Sequence, residues 1–152
     1  MDVSEPKAGR GKRADYVRFT PVATRWMDND VYGHLNNVVY YSLFDTAVNA
    51  TLIGEGLLDP ATGSMIALVV ETGCRYHASV GFPQPVEVGL RVAKLGTSSI
   101  RYELGVFAAG EDLAAAEGFF VHVCVDAETR RPVPLPPAKR AFLETLQTTV
   151  TA

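Results

Sequence analysis

Asp28 to Asn37 reads D-N-D-V-Y-G-H-L-N-N: two carboxylates, an imidazole and three carboxamides directly ahead of a long apolar run. Between Asn37 and Ile53 the only acid or base is Asp45, and Gly54 and Gly56 follow, so the spacing predicts a helix opening at Asn36 or Asn37 and stopping at the glycines. A helix start presents unpaired backbone N–H groups and the positive end of the helix dipole. Such donors can polarise a carbonyl and hold an oxyanion, although Asn36 acting simply as an N-cap would serve the helix equally well. A carboxylate beside that terminus ionises easily, which suits a nucleophile and weakens a general base. Asp28 is read as a turn aspartate bonding nearby backbone N–H groups and is left out of the catalytic set. Asp28, Asp30 and His34 together hint at a metal cluster. No H-x-x-x-H or Cys/His framework supplies further ligands, so no metal is expected. Gly33 fits a tight turn or the close approach of a ligand.

Those residues need a scaffold, and the rest of the chain describes one. Residues 16–26 (YVRFTPVATRW) read as a first strand with Pro21 at a bulge or edge. Within the helix Ser42, Asp45, Thr46 and Asn49 form one polar stripe on an otherwise apolar cylinder, which must therefore be wrapped on most sides. Residues 64–79 suggest a strand pair interrupted near Gly73, and Val86, Val88, Leu90 and Val92 alternate as in a half-buried strand. Ile100, Tyr102, Leu104 and Val106 repeat that pattern, a turn at Gly110 follows, and residues 113–130 are apolar on both faces like a central strand. A Pro-rich connector and a short helix close the chain. One long helix and about five strands in this order predict an α+β fold, a curved antiparallel sheet around one buried helix.

Bulk properties set limits. With 152 residues, 47% of them hydrophobic, the chain suits one domain, assigned to residues 15–150 after a flexible tail over 1–14. Its net charge of −3 offers no cationic field for nucleic acid or an anionic membrane, and neither is expected as a partner. Cys74 and Cys124 read as buried free thiols in a reducing compartment, and a cytoplasmic protein is expected. His77 and His122 have no motif around them and read as ordinary strand or loop histidines.

The order of elements, with D-x-D-x-x-G-H-x-N-N-x-x-Y at Asp28, Asp30, Gly33, His34, Asn36, Asn37 and Tyr40, resembles the hot-dog fold acyl-CoA thioesterases of the 4-hydroxybenzoyl-CoA thioesterase type. The resemblance covers about residues 16–145. It implies hydrolysis of an acyl-CoA to a free acid and CoA, with no cofactor beyond the CoA of the substrate. It implies that Asp30 attacks the thioester or activates water, and that an amide at about Asn37 serves the carbonyl. His34 would orient the loop or the substrate carbonyl, or act structurally. The Asn37 side chain would hold Asp30 or a water, or satisfy loop carbonyls. Asp45 is a second candidate carboxylate, competing with a reading as a buried, hydrogen-bonded acid at a subunit interface. Gly33 and Tyr40 belong to the substrate site. Arg91, Gly96, Ser98 and Ser99 would meet the CoA diphosphate, or else form a plain hairpin turn beside a solvated arginine. By the same resemblance subunits pair so that two sheets become continuous, giving a homodimer or homotetramer. Two other activities fit the same scaffold: a hydratase or dehydratase using His34 with Asp45, and a non-catalytic acyl-CoA-binding domain.

Overall fold

A computed structural model of the chain describes residues 9–59, 61 and 63–148. In chain order it contains β1 (Arg18–Val22), α1 (Val39–Gly54), β2 (Met65–Tyr76), β3 (Val86–Leu95), β4 (Ser99–Ala108), β5 (Ala116–Asp126) and α2 (Pro137–Glu144). The strands form one antiparallel sheet in the order β1-β3-β4-β5-β2. The alternation read in β3 and β4 decides which face is inside: Val88, Leu90, Ile100, Tyr102 and Leu104 are buried with Phe120 of β5 and α1 residues Phe44, Ala47 and Val48 in one core. Each such large side chain contributes about 1.5–3 kcal/mol by leaving water, so the sheet curls around the helix that fills it.

The helix ends as its glycines predict. Gly56 has φ +70°, Gly56 N–H donates to Ile53 and Leu57 N–H to Leu52, the paired bonds of a Schellman stop. The wrapping is one-sided, however: Ser42, Asp45 and Thr46 stay exposed within the chain. Pro21 lies in the edge strand β1, opposite Glu87, where its missing donor costs no ladder bond.

Residues 64–79 correct one expectation. They form not two strands but one, β2, twelve residues long, with a bulge between Val69 and Glu71 instead of a break at Gly73. Gly73 marks close approach: an added Cβ would sit 2.8 Å from the Phe119 ring of the neighbouring strand. Of the expected tail, residues 1–8 lie outside the described residues. Its described end is docked. Lys12 bridges to Leu113, the Arg10 guanidinium donates to the Ala114 carbonyl, and Arg13 pairs with Glu87 at 3.0 Å. These arginines therefore hold backbone and carboxylate.

Candidate active site

The loop between β1 and α1 is built from its own polar side chains. Asp28 is buried and accepts from the Arg25 backbone N–H and guanidinium at 2.8 and 2.9 Å. Burial alone would raise its pKa, but the Arg25 hydrogen bonds and charge outweigh that and hold the carboxyl below its usual range. The turn role expected of Asp28 is thus what the geometry shows. Its carbonyl also accepts from Asn36 N–H at 2.9 Å, closing the loop on itself.

Asp30 sits at the tip. Its Oδ1 accepts from Tyr32 N–H at 2.8 Å, its carbonyl accepts from Gly33 N–H at 3.1 Å, and Gly33 adopts φ +83°, a left-handed turn that favours glycine. Oδ2 lies 3.5 Å from His34 Nδ1, which is also 3.4 Å from the Leu35 carbonyl. One carboxylate oxygen is therefore fixed by backbone while the other faces an imidazole.

α1 begins at Val39, two or three residues later than the sequence suggested, because Asn36 folds an Asx turn: its Oδ1 accepts from Val38 N–H at 3.1 Å and its carbonyl from Val39 N–H at 2.9 Å. That leaves the Asn37 N–H without an acceptor among the described residues. An unpaired donor just ahead of a helix, on the same cavity as a carboxylate, is what carbonyl activation requires.

Asp30, His34, Asn37 and Tyr40 surround one cavity of about 520 Å³, with Gly33 on the far side of the loop. Two residues outside the sequence motif also line it. Tyr76 ends β2, donates its hydroxyl to the Asn37 carbonyl at 2.8 Å, and meets the buried Tyr40 ring edge-on at 5.0 Å. His77 follows it and bonds Glu117 at 2.9 Å. No local spacing signals either residue; the antiparallel return of β2 past the helix start brings them there. The loop is held to the same region by Leu35 N–H on the Val80 carbonyl and by Asn29 on Phe82.

Other expected site residues lie elsewhere. Arg91 is on the outer face of the sheet, paired with Glu103 at 3.0 Å, donating to the Asp15 carbonyl and stacked over Tyr16, where it lines a different cavity. Gly96 to Ser98 make the β3–β4 turn, and their carbonyls accept from Arg140, Leu135 and Cys124, while Ser99 opens β4. Asp45 is exposed, hydrogen-bonded by Asn49 at 3.1 Å, and lines a hollow against β2 that does not include His34. The aromatics near the loop divide, Trp26 and Tyr32 standing 80% and 81% exposed while Tyr40 and Phe44 join the core.

Comparison with known proteins agrees with this architecture. Among solved structures, the PA5185 protein of Pseudomonas aeruginosa strain PAO1 is 51% identical, covers 94% of this chain and 100% of its own, and superposes with a TM-score of 0.92. PA2801 of Pseudomonas aeruginosa, a thioesterase candidate, is 29% identical over 84% of this chain and 98% of its own, with a TM-score of 0.78. Slr0204 of Synechocystis, a 1,4-dihydroxy-2-naphthoyl-CoA thioesterase, shares the fold at 16% identity, over 82% of this chain and 93% of its own, with a TM-score of 0.76. No functionally curated protein matches the chain. The family model of the thioesterase-like superfamily matches residues 24–143, a span that contains the loop, the helix and the whole sheet beyond β1. The chain therefore belongs to the thioesterase-like superfamily and has its hot-dog fold.

Proposed function

We propose that the protein hydrolyses acyl-CoA thioesters to a carboxylic acid and CoA. The observation that carries this reading is the pairing of a half-fixed carboxylate, Asp30, with an unpaired donor just ahead of α1, Asn37 N–H, on one cavity. Asp30 Oδ2 serves as nucleophile or as base toward water, the Asn37 N–H takes the carbonyl oxygen as it gains charge, and His34 orients Asp30. The cavity is large enough for an acyl or aryl group against Tyr40. Separation of His34 from Asp45 argues against the hydratase alternative, which needs both at one substrate.

The chain acts as a homodimer at least. β2 is an edge strand of twelve residues with Val69 and Val70 exposed, an arrangement that pairs with a second copy or risks open-ended association. Asp45 and the open stripe of α1 border that same edge. We assign the protein to the cytoplasm, where Cys74 and Cys124 stay reduced. Among the described residues no helix is long and apolar enough to cross a membrane.

The deciding experiment measures thiol release from a panel of alkyl- and aryl-CoA thioesters by the native protein and Asp30→Asn. Turnover by the native protein, lost in the variant with substrate still bound, supports the reading. No release from any thioester, or full activity in the variant, rejects it.

A further inference from the structure

We infer that His77, oriented by Glu117 and Tyr16, is a second catalytic group of the Asp30 cavity and carries the proton of the hydrolytic water. The inference rests on the hydrolysis reading and assigns Asp30 the nucleophile's part within it.

The observations are geometric. His77 Nε2 lies 2.9 Å from Glu117 Oε2, and the other oxygen of that carboxylate accepts the Tyr16 hydroxyl at 3.1 Å. Both neighbours are anchored. Tyr16 is 7% exposed and packs edge-on against Phe107, and the His77 and Ala78 N–H groups both donate to the Ala115 carbonyl. Burial, and after it the Glu117 charge, pushes the Tyr16 pKa far up, so its hydroxyl stays protonated and donates. A Tyr–Glu–His line thus runs from the outer face of the sheet to the cavity that holds Asp30 and Asn37.

The chemistry follows from which nitrogen is occupied. A carboxylate only accepts, so the neutral form of His77 carries its proton on Nε2 toward Glu117, and its Nδ1 lone pair is unused among the described residues. This is the arrangement of an oriented base: one ring nitrogen held by an acid, the other free to accept. An ion pair serving stability alone would have no need to sit on the wall of the cavity that Asp30 and an unpaired amide share.

The steps balance. Asp30 Oδ2 bonds to the acyl carbon and the C–S bond breaks, its electron pair leaving on sulfur as the CoA thiolate. A water oxygen then bonds to the acyl carbon of the acyl-aspartyl anhydride and gives one proton to His77 Nδ1. The acyl C–O bond to Asp30 breaks, and its electron pair restores the carboxylate. His77 passes its proton to the thiolate, directly or through solvent, and returns to the neutral form. One thioester and one water have become one acid and one thiol.

The test uses the full-length chain and the thioester that the native protein turns over fastest. His77→Gln is expected to lower kcat about a hundredfold, the scale of a lost general base, with KM within about threefold. Glu117→Gln and Tyr16→Phe, which keep His77 but loosen it, are expected to lower kcat in that order, Glu117→Gln by roughly tenfold, the kinetic equivalent of one hydrogen bond. Added imidazole should restore part of the activity of His77→Ala, which a purely structural pair would not allow. A kcat within twofold of native in His77→Gln overturns the assignment, as does a loss that imidazole leaves untouched. Should the His77 variants fail to fold, the Glu117 and Tyr16 variants decide, and native kcat in both is then the overturning result. If the native protein releases no thiol at all, the hydrolysis reading fails and takes this assignment with it. Activity that survives His77→Gln but not Asp30→Asn sinks this assignment alone.

Discussion

His77 directly follows β2, His122 lies on the neighbouring strand β5, and neither belongs to a motif, yet their surroundings are opposites. His77 has a carboxylate partner and an open cavity. His122 faces the core at 4% exposure, stacked on Phe120 at 5.6 Å and edge-on to Tyr102 at 5.2 Å, with no hydrogen bond to either ring nitrogen among the described residues. The Tyr102 hydroxyl is equally unpartnered. Burial drives the His122 pKa down to about 4, Asp45 working against this and Lys139 with it. An imidazole becomes useful for chemistry where an acid orients it and a ligand can reach it. Sealed among rings, the same side chain only adds a cost to acidification.

The contrast fails at its root if the cavity of His77 is not the reactive one. Asp30→Asn should therefore give the largest effect, a fall in kcat of at least about a thousandfold, read by thiol release with binding checked separately. A folded, binding-competent variant that keeps its rate removes the distinction between the two histidines.

His122 should reveal itself in stability. Its pKa of about 4 in the folded chain lies below the ordinary 6.5, so the unfolded chain takes up the proton first as pH falls. The stability present above pH 6.5 is lost progressively down to about pH 4, an effect of roughly 3 kcal/mol by linkage. His122→Phe should flatten that part of the profile in urea unfolding between those two pH values, with thiol release at neutral pH kept. Parallel acid limbs in native and variant would show that His122 is not the sensitive group.

Smaller effects map the cavity edge. Tyr76→Phe deletes the hydroxyl that holds the Asn37 carbonyl at 2.8 Å, and kcat/KM should drop about tenfold, one hydrogen bond's worth of positioning. Arg91→Gln should change kcat/KM by less than about twofold, since its charge is already paired with Glu103 at 3.0 Å on the outer face. A raised KM for a CoA thioester, with none for the same acyl group on a short thiol, would instead place the CoA across that face.

Much of this was legible beforehand. Alternation in β3 and β4, the glycine stop of α1 and the edge proline of β1 follow from local rules, because each reports the burial or dihedral of its own residue. The loop was legible for the same reason: Asp28, Asp30, Gly33 and Asn36 bond within a few positions of themselves. Gly73 misled because a glycine under a neighbouring ring and a glycine breaking a strand look alike in one dimension.

Local spacing in the amino-acid sequence was enough for the stop of α1, the inward faces of β3 and β4, and a carboxylate just ahead of the helix, all set by interactions spanning a few residues. Long-range packing brought Tyr76 to brace Asn37 and Glu117, forty positions from His77, to hold its ring. It alone placed Arg91 on the opposite face from Asp30's cavity and sealed His122 in the core. Those outcomes depend on strand order and register, which are chosen by packing the whole sheet around α1, and no local spacing records that choice.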